Sequence, residues 1–429
     1  MVHHNIKRYL VTSMSMGFCM LGLAATPLAQ AGSGSLDRNF GNRGIVTTDI
    51  NNVDNEALGI AIQSNSSIVA VGYATVGLNG RRDIAITRYV SSGLLDSTFG
   101  VGGKVITNVL NDANGTGSDD IANAVAIQAD GKIVVTGSAG YFDATLGYAD
   151  YIAVLRYNAN GSLDTTFGMG GVVKSNIGRG TDVVVLNNGK ILVAGSSLNR
   201  YNPDGSLDVT FGTGGIVTLT GKTSTLAVQS DGKIVVGYEA VDGTGTVVGG
   251  ILARYNDNGS ADTTFPLFSG GLIADLAIQG NGKIVTTGKT FAMTAQGVYD
   301  GYAFLVARHN IDGTRDNTFG TNGAVVSNFG IGDEVPYALA LQADGKILVA
   351  GYVTTQAGKG YDLDAAVARY TTSGILDTGF GTNGLAVTTG SPIQASAIAV
   401  QSDSNIVTGG ASWATAATGK DFSLIRYLP

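Results

Sequence analysis

Cysteine, histidine, proline and tryptophan are almost missing from this sequence: one Cys, three His, six Pro and one Trp in 429 residues. A lone Cys19 excludes an internal disulfide framework, and with His3 and His4 at the extreme N-terminus only His309 serves the body of the chain. Zinc and other nitrogen- or sulfur-ligated centres therefore lack ligands, and a nucleophilic triad has at most one imidazole to draw on. Charge is scarce too, at 14%, and the net −7 argues against nucleic acid or anionic lipid as a partner. Glycine, by contrast, is abundant, with 64 residues recurring at fixed places. That placement favours tight β-turns over disorder.

The N-terminus reads as a secretory signal. Lys7 and Arg8 form a basic start, an apolar stretch runs over 14–25, and Pro27 precedes the small-x-small sequence Ala29-Gln30-Ala31. The apolar core is shorter than the roughly 20 residues of a spanning helix, so cleavage after Ala31 is expected rather than membrane insertion. Cleavage removes two basic side chains and no acidic ones, leaving a net charge of −9 and no cysteine. The expected domains are thus a signal peptide over 1–31 and a single repeat domain over 32–429, secreted or periplasmic.

Within that domain the phrase Leu-Asp-x-x-Phe-Gly returns seven times, beginning at Leu36, Leu95, Leu163, Leu207, Ala261, Arg315 and Leu376, with its Asp and Phe always present. The Phe residues are spaced by 59, 68, 44, 54, 54 and 61 positions. Spacings near 50 suit propeller blades. In the second repeat, apolar runs at 103–107, 124–128, 132–137 and 152–157 read as four strands. The Asp-Gly or Asn-Gly pairs at 130–131, 188–189, 231–232, 281–282 and 344–345 fit hairpin turns between the second and third of them. Nearly every fourth run ends in Arg-Tyr, as at Arg156-Tyr157 and Arg200-Tyr201. The pattern predicts an all-β, seven-bladed propeller of four-stranded repeats about 44–68 residues long, with the strand after Phe-Gly innermost. On that frame the ring closes by packing of its terminal blades; shifting the frame by one strand would give a closure that shares a strand.

The composite phrase Arg-Tyr-Asn-x-Asx-Gly-Ser-Leu-Asp-x-x-Phe-Gly-x-Gly-Gly, most complete at 156–171 and 200–215, resembles the delta-60 repeat family of bacterial β-propeller-like proteins. The resemblance covers essentially the whole of 32–429 and implies an exported or surface-associated propeller. It supplies no catalytic residues. The third repeat departs by being short, and the fifth by Phe265-Pro266 in place of Phe-Gly.

The seven repeated Asp residues (Asp37, Asp96, Asp164, Asp208, Asp262, Asp316, Asp377) tempt a catalytic reading, but a group needed once for chemistry need not occur in every blade. Their expected work is to accept backbone N–H bonds in the linker turn. Four linkers, such as Asn202-x-Asp204-Gly-Ser-x-Asp208, space oxygen atoms somewhat like a calcium loop, yet the segments before Asp96 and Asp377 lack those groups. Turn formation explains all seven, so no cofactor is expected, with calcium as the one ion the sequence leaves open. Gly-rich stretches such as 168–171 precede strands and lack a following Lys-Ser/Thr, which argues against a phosphate loop.

One propeller face should carry the constant turns and linkers, and the opposite face the variable loops, where function is usually placed. Those loops hold Tyr141, Tyr148, Tyr299, Tyr361 and Trp413, beside acids that include Asp119 and Asp120. Aromatic faces beside carboxylates suit glycan or protein recognition, and equally suit covering one another. The composition points first to a monomeric, non-enzymatic exported scaffold binding a protein or polysaccharide through this face. An alternative is an extracellular hydrolase or lyase with paired carboxylates near the axis, with or without a divalent cation. A structural envelope role is a third. Two acids within hydrogen-bond reach of one axial point would favour the enzyme.

Overall fold

A computed structural model describes residues 32–429 apart from 51–52, 77–79, 111–117, 144–146, 220, 245, 267, 294–298, 330–331, 358–359, 390–391 and 416–418. The alternating apolar runs pair into 28 strands arranged as seven antiparallel four-stranded sheets, and no helix occurs among the described residues. The inner strands, Asn55–Ile62, Asp119–Ile127, Gly180–Val185, Thr223–Val228, Asp275–Ile278, Glu334–Leu341 and Ile393–Val400, touch in sequence order, and the last returns to the first. The molecule is a seven-bladed β-propeller. We number the blades by these inner strands.

The frame of each blade differs from the sequence expectation by one strand. The short strand after Phe-Gly, such as Lys104–Thr107, is outermost: it pairs with residues 84–87 of Arg81–Tyr89 and so completes blade one. The linker carrying Leu-Asp-x-x-Phe-Gly is therefore a loop within one blade, and the crossing to the next inner strand comes after it. Ring closure changes accordingly. The N-terminal strand Ile45–Thr48 completes blade seven, pairing Ile45 with Ile425 and Thr48 with Phe422, so the two ends of the chain share a sheet. Blades three and four show why sequence alone leaves the frame open: only residues 219–222 lie between the outer strand of one and the inner strand of the next. Four extended residues reach about 13 Å, close to three strand spacings, so a connection short enough for a hairpin also suffices to cross a blade.

The short third repeat leaves no gap. Its strands Gly180–Val185, Ile191–Gly195, Ser197–Tyr201 and Ile216–Thr218 form a complete sheet that lacks only long loops. Apolar cores lie between blades: Val134 and Val154 of blade two pack with Ile191 and Val193 of blade three, and Leu192 and Ala194 with Val236 of blade four. The Pro266 linker does depart. The Gly after the repeated Phe donates its N–H to the next linker elsewhere, as Gly41 does to the Ser92 carbonyl at 2.9 Å, and Pro266 has no N–H to do so.

A latch explains the repeated phrase. In all seven linkers the Asp Oδ1 accepts the backbone N–H two residues on, at 2.9–3.2 Å, which is the turn role expected of it. Its Oδ2 accepts Nε–H of the Arg ending the third strand at 2.6–2.9 Å. That guanidinium stacks 4.5–4.7 Å from the ring of the repeated Phe. It also donates into the next linker, as Arg88 does to the Ala159 carbonyl and Arg200 to that of Asp257. Each blade is thereby tied to its successor.

Candidate functional site

Every inner strand except that of blade five carries a bulge, where the register slips by one residue, as between Ala57 and Gly59. The residue after the bulge faces its neighbours around the axis. Space is tight there: a Cβ on Gly59 would lie 3.1 Å from the Asn123 carbonyl and 3.2 Å from the Ala124 Cα. Blades one, two, six and seven accordingly use Gly59, Ala124, Ala338 and Ala397, whereas blades three, four and five place Asp182, Thr225 and Asp275 at this level. These three residues break the repeat, and they sit side by side.

They line an axial cavity of about 250 Å³, together with Asn123, Ser224, Tyr337 and Ser396. Thr225 Oγ1 lies 2.9 Å from Asp275 Oδ1 and 3.3 Å from Asp182 Oδ2, so two carboxyl groups converge on one hydroxyl. Backbone amides hold both acids in place. Val183 and Leu226 donate to Asp182 at 2.7 and 2.8 Å, and Leu276 and Leu339 to Asp275 at 2.8 and 2.7 Å. Burial, reinforced by the charge of Asp275, nevertheless pushes Asp182 up to about 7. Burial pushes Asp275 up to about 6, against its amide donors.

The hydroxyl decides the proton count. Thr225 has one hydrogen and can satisfy one carboxylate at a time. With a single proton on the pair, one Asp donates to Thr225 Oγ1, which donates to the other Asp, and every contact is made. The group thus presents one carboxylic acid and one carboxylate to the same cavity near neutral pH, titrating as a unit.

One aromatic ring lines this cavity. Tyr337, 39% exposed, occupies the bulge of blade six, its ring 5.7 Å from that of Tyr352. Burial, then the neighbouring Tyr352, pushes its phenol up to about 12. No Lys, Arg or His occurs among the described residues lining the cavity. Two larger hollows, of about 520 and 580 Å³, lie at the turn and linker side. Two acids line the first, each already committed: Asp231 caps the Lys233 amide, and Asp257 pairs with Arg200.

Of the seven loop residues singled out in the sequence, Trp413, Asp119 and Asp120 have described side chains, and each is engaged locally. The side chains of Tyr141, Tyr148, Tyr299 and Tyr361 lie outside the described residues. The Trp413 ring sits under Lys420, 5.1 Å from its Nζ. Asp119 is committed to Arg82, whose Nε donates to it at 2.8 Å beside a second contact from Nη2. Asp120 is fully buried and accepts the Val109 amide at 2.6 Å and the Ser118 hydroxyl at 2.7 Å. The calcium-like linker oxygens serve their own turns: Asp204 Oδ1 accepts the Ser206 amide and hydroxyl at 2.9 and 2.7 Å, and Asn202 turns its amide nitrogen inward. His309 is buried, which lowers it to about 4 and keeps it neutral.

Comparison with known proteins fits this architecture. A family profile described as a domain of unknown function (DUF5122) beta-propeller matches residues 63–99, 128–167, 186–211, 229–265 and 342–380. The chain is a β-propeller repeat protein. No functionally curated protein matches it. Among solved structures, the polysaccharide lyase Uly1 aligns at 12% identity over 87% of this chain and 89% of its own, with a TM-score of 0.47. A protein of unknown function from Dyadobacter fermentans aligns at 12% over 90% and 98%, TM-score 0.48. The α-L-arabinofuranosidase Arb93A from Fusarium graminearum aligns at 9% over 92% and 96%, TM-score 0.43. At this distance the likeness concerns the fold alone. The expectation of a non-enzymatic scaffold is nevertheless corrected: two carboxyl groups converge on one axial hydroxyl, the arrangement that favours the enzyme alternative.

Proposed function

We propose that this β-propeller repeat protein is an exported hydrolase of glycosidic bonds, with Asp182, Thr225 and Asp275 as its acid/base centre. The observation that carries the reading is the convergence of two acids on the Thr225 hydroxyl, at 2.9 and 3.3 Å, inside the axial cavity. The protonated member donates to the departing glycosidic oxygen as that C–O bond breaks. The ionised member, whose oxygen lies within about 6 Å of the other acid across Thr225 Oγ1, bonds the anomeric carbon, as the closer of the two glycosidase spacings requires. Water then displaces that carboxylate from the carbon and gives its proton to the first Asp, which restores the centre.

Hydrolysis fits better than elimination. A lyase must neutralise a uronate carboxylate, and this cavity offers two acids with no cationic side chain among its described lining. Its roughly 250 Å³ is about eight waters' share of liquid volume, room for one sugar-sized group. Terminal units or small glycosides are therefore the expected substrates. The basic, apolar and small-residue pattern of 1–31 supports export, and the repeat phrases support membership of the delta-60 family.

The test is release of reducing sugar or aryl alcohol from a panel of neutral polysaccharides and aryl glycosides. Asp182→Asn and Asp275→Asn should each lower the rate by about 10²–10⁴-fold. Full activity in both variants, or no turnover of any neutral glycoside by the wild type, would overturn the assignment.

A further inference from the structure

Away from the axis, the seam between blades one and two buries two carboxyl groups that pair with no cation among the described residues. Asp83, on the third strand of blade one, is 7% exposed, and Asp120, on the inner strand of blade two, is 0% exposed. Neither makes an ion pair among the described residues. Asp120 Oδ2 takes the Val109 amide and Ser118 hydroxyl, while its Oδ1 is buried without a partner among the described residues. Asn108 donates its amide to Asp83 Oδ1 at 3.2 Å, and its own Oδ1 is likewise buried without a partner.

The seam between blades seven and one shows what this arrangement lacks. Counting from the bulge, Asn55 stands where Asp120 does, and counting from the strand-ending Arg, Asp421 stands where Asp83 does. There the oxygen of Asn55 accepts the Phe422 amide at 2.9 Å, and its amide nitrogen donates to the Val53 carbonyl at 2.6 Å. Replacing that amide by Asp120 removes the donor and adds a second negative charge. Buried charges of one sign need a cation or protons to offset their desolvation.

We propose that Asp83, Asn108 and Asp120 form a binding site for one calcium ion that ties blade one to blade two. The available donors are all hard oxygens, which suits calcium and excludes zinc. The two carboxylates supply the charge, the Asn108 carbonyl a neutral ligand, and water the remaining positions. The ion would bridge two blades where the equivalent seam uses an amide.

The probe is calcium chloride titrated into the chelator-treated protein by calorimetry and thermal unfolding. One ion per chain is expected, with a midpoint about 3 °C higher at a hundredfold excess over Kd. Asp120→Asn installs the side chain found in the closing seam, so it should fold and lose calcium binding; Asp83→Asn should lose it too. Asp182→Asn should still bind. No calcium uptake by the wild type, or uptake unchanged in both seam variants, would overturn the site. Stabilisation by Asp120→Asn with no wild-type uptake would assign the seam to a shared proton instead and would equally refute it.

Discussion

Replacing Asp208 by Asn probes the latch that joins blades three and four. Asp208 is buried, with Arg200 Nε at 2.6 Å and Lys190 Nζ at 2.7 Å on one oxygen, and the Thr210 amide and hydroxyl at 3.2 and 2.7 Å on the other. Burial alone would raise its pKa, but bonds from Lys190, Thr210 and Arg200 outweigh that and hold it well below the usual carboxylate range. Asparagine keeps the turn acceptor and removes the charge. Breaking a buried ion pair costs about 3–5 kcal/mol. Arg200 retains a contact with Asp257 Oδ1 at 2.8 Å and its stacking on Phe211, so about 2–3 kcal/mol is expected here. Spread over about 400 residues at ~2.1 cal/mol/K each, that lowers the thermal midpoint by ~3 °C at pH 7. A carboxyl depressed in the folded state stabilises above its unfolded pKa and loses that stabilisation as pH falls through the folded value. The gap between wild type and variant should therefore shrink below about pH 4. Scanning calorimetry from pH 3 to 7 reads both quantities. A midpoint within 1 °C of wild type at pH 7, or a gap unchanged at pH 3, would refute the latch as an energetic element.

Further outcomes follow from other sites. Gly137→Ala would place a Cβ 1.8 Å from the Ile121 carbonyl in the inner-strand bulge, so a loss of about 3 kcal/mol or failure to fold is expected on urea unfolding. The axial pair has the opposite sign from the latch: both carboxyls are raised in the folded state, so wild-type stability should fall as pH rises from about 4 to 7. Asp182→Asn should flatten that decline and be about 1–2 kcal/mol more stable than wild type at pH 8, measured by the same method.

The fold was legible because its signals are local. Asp130-Gly131 makes a turn, Val134 and Val135 alternate with it into a strand, and the Phe spacing counts blades. The blade boundary was not legible, because which edge of a four-stranded unit faces the axis is set by packing between repeats. Lys104–Thr107 reads as an acceptable strand in either place. The candidate cavity, in turn, is lined where the inner strands crowd around the axis. Its signal was present in the sequence as a substitution pattern: Gly59, Ala124, Ala338 and Ala397 give way to Asp182, Thr225 and Asp275. Finding it required aligning the inner strands on their bulges, which only pairing registers reveal.

That pattern suggests a general division in this chain. Residues present in all seven repeats hold the ring, as the linker Asp, Arg and Phe do, so chemistry should reside in departures from the repeat. Changing Asp182, Thr225 and Asp275 together to Ala restores the small residues used by the other blades. The protein gives up amide bonds to four backbone donors and relieves two carboxyls of their burial, terms of opposite sign and similar size. The triple variant should therefore fold with a midpoint within about 2–3 °C of wild type and lack all glycosidase activity. Calorimetry and the aryl glycoside assay on one preparation decide the matter. Loss of folding would show that the three residues hold the ring after all, and that the axial pair is a structural device of blades three to five rather than a reacting centre.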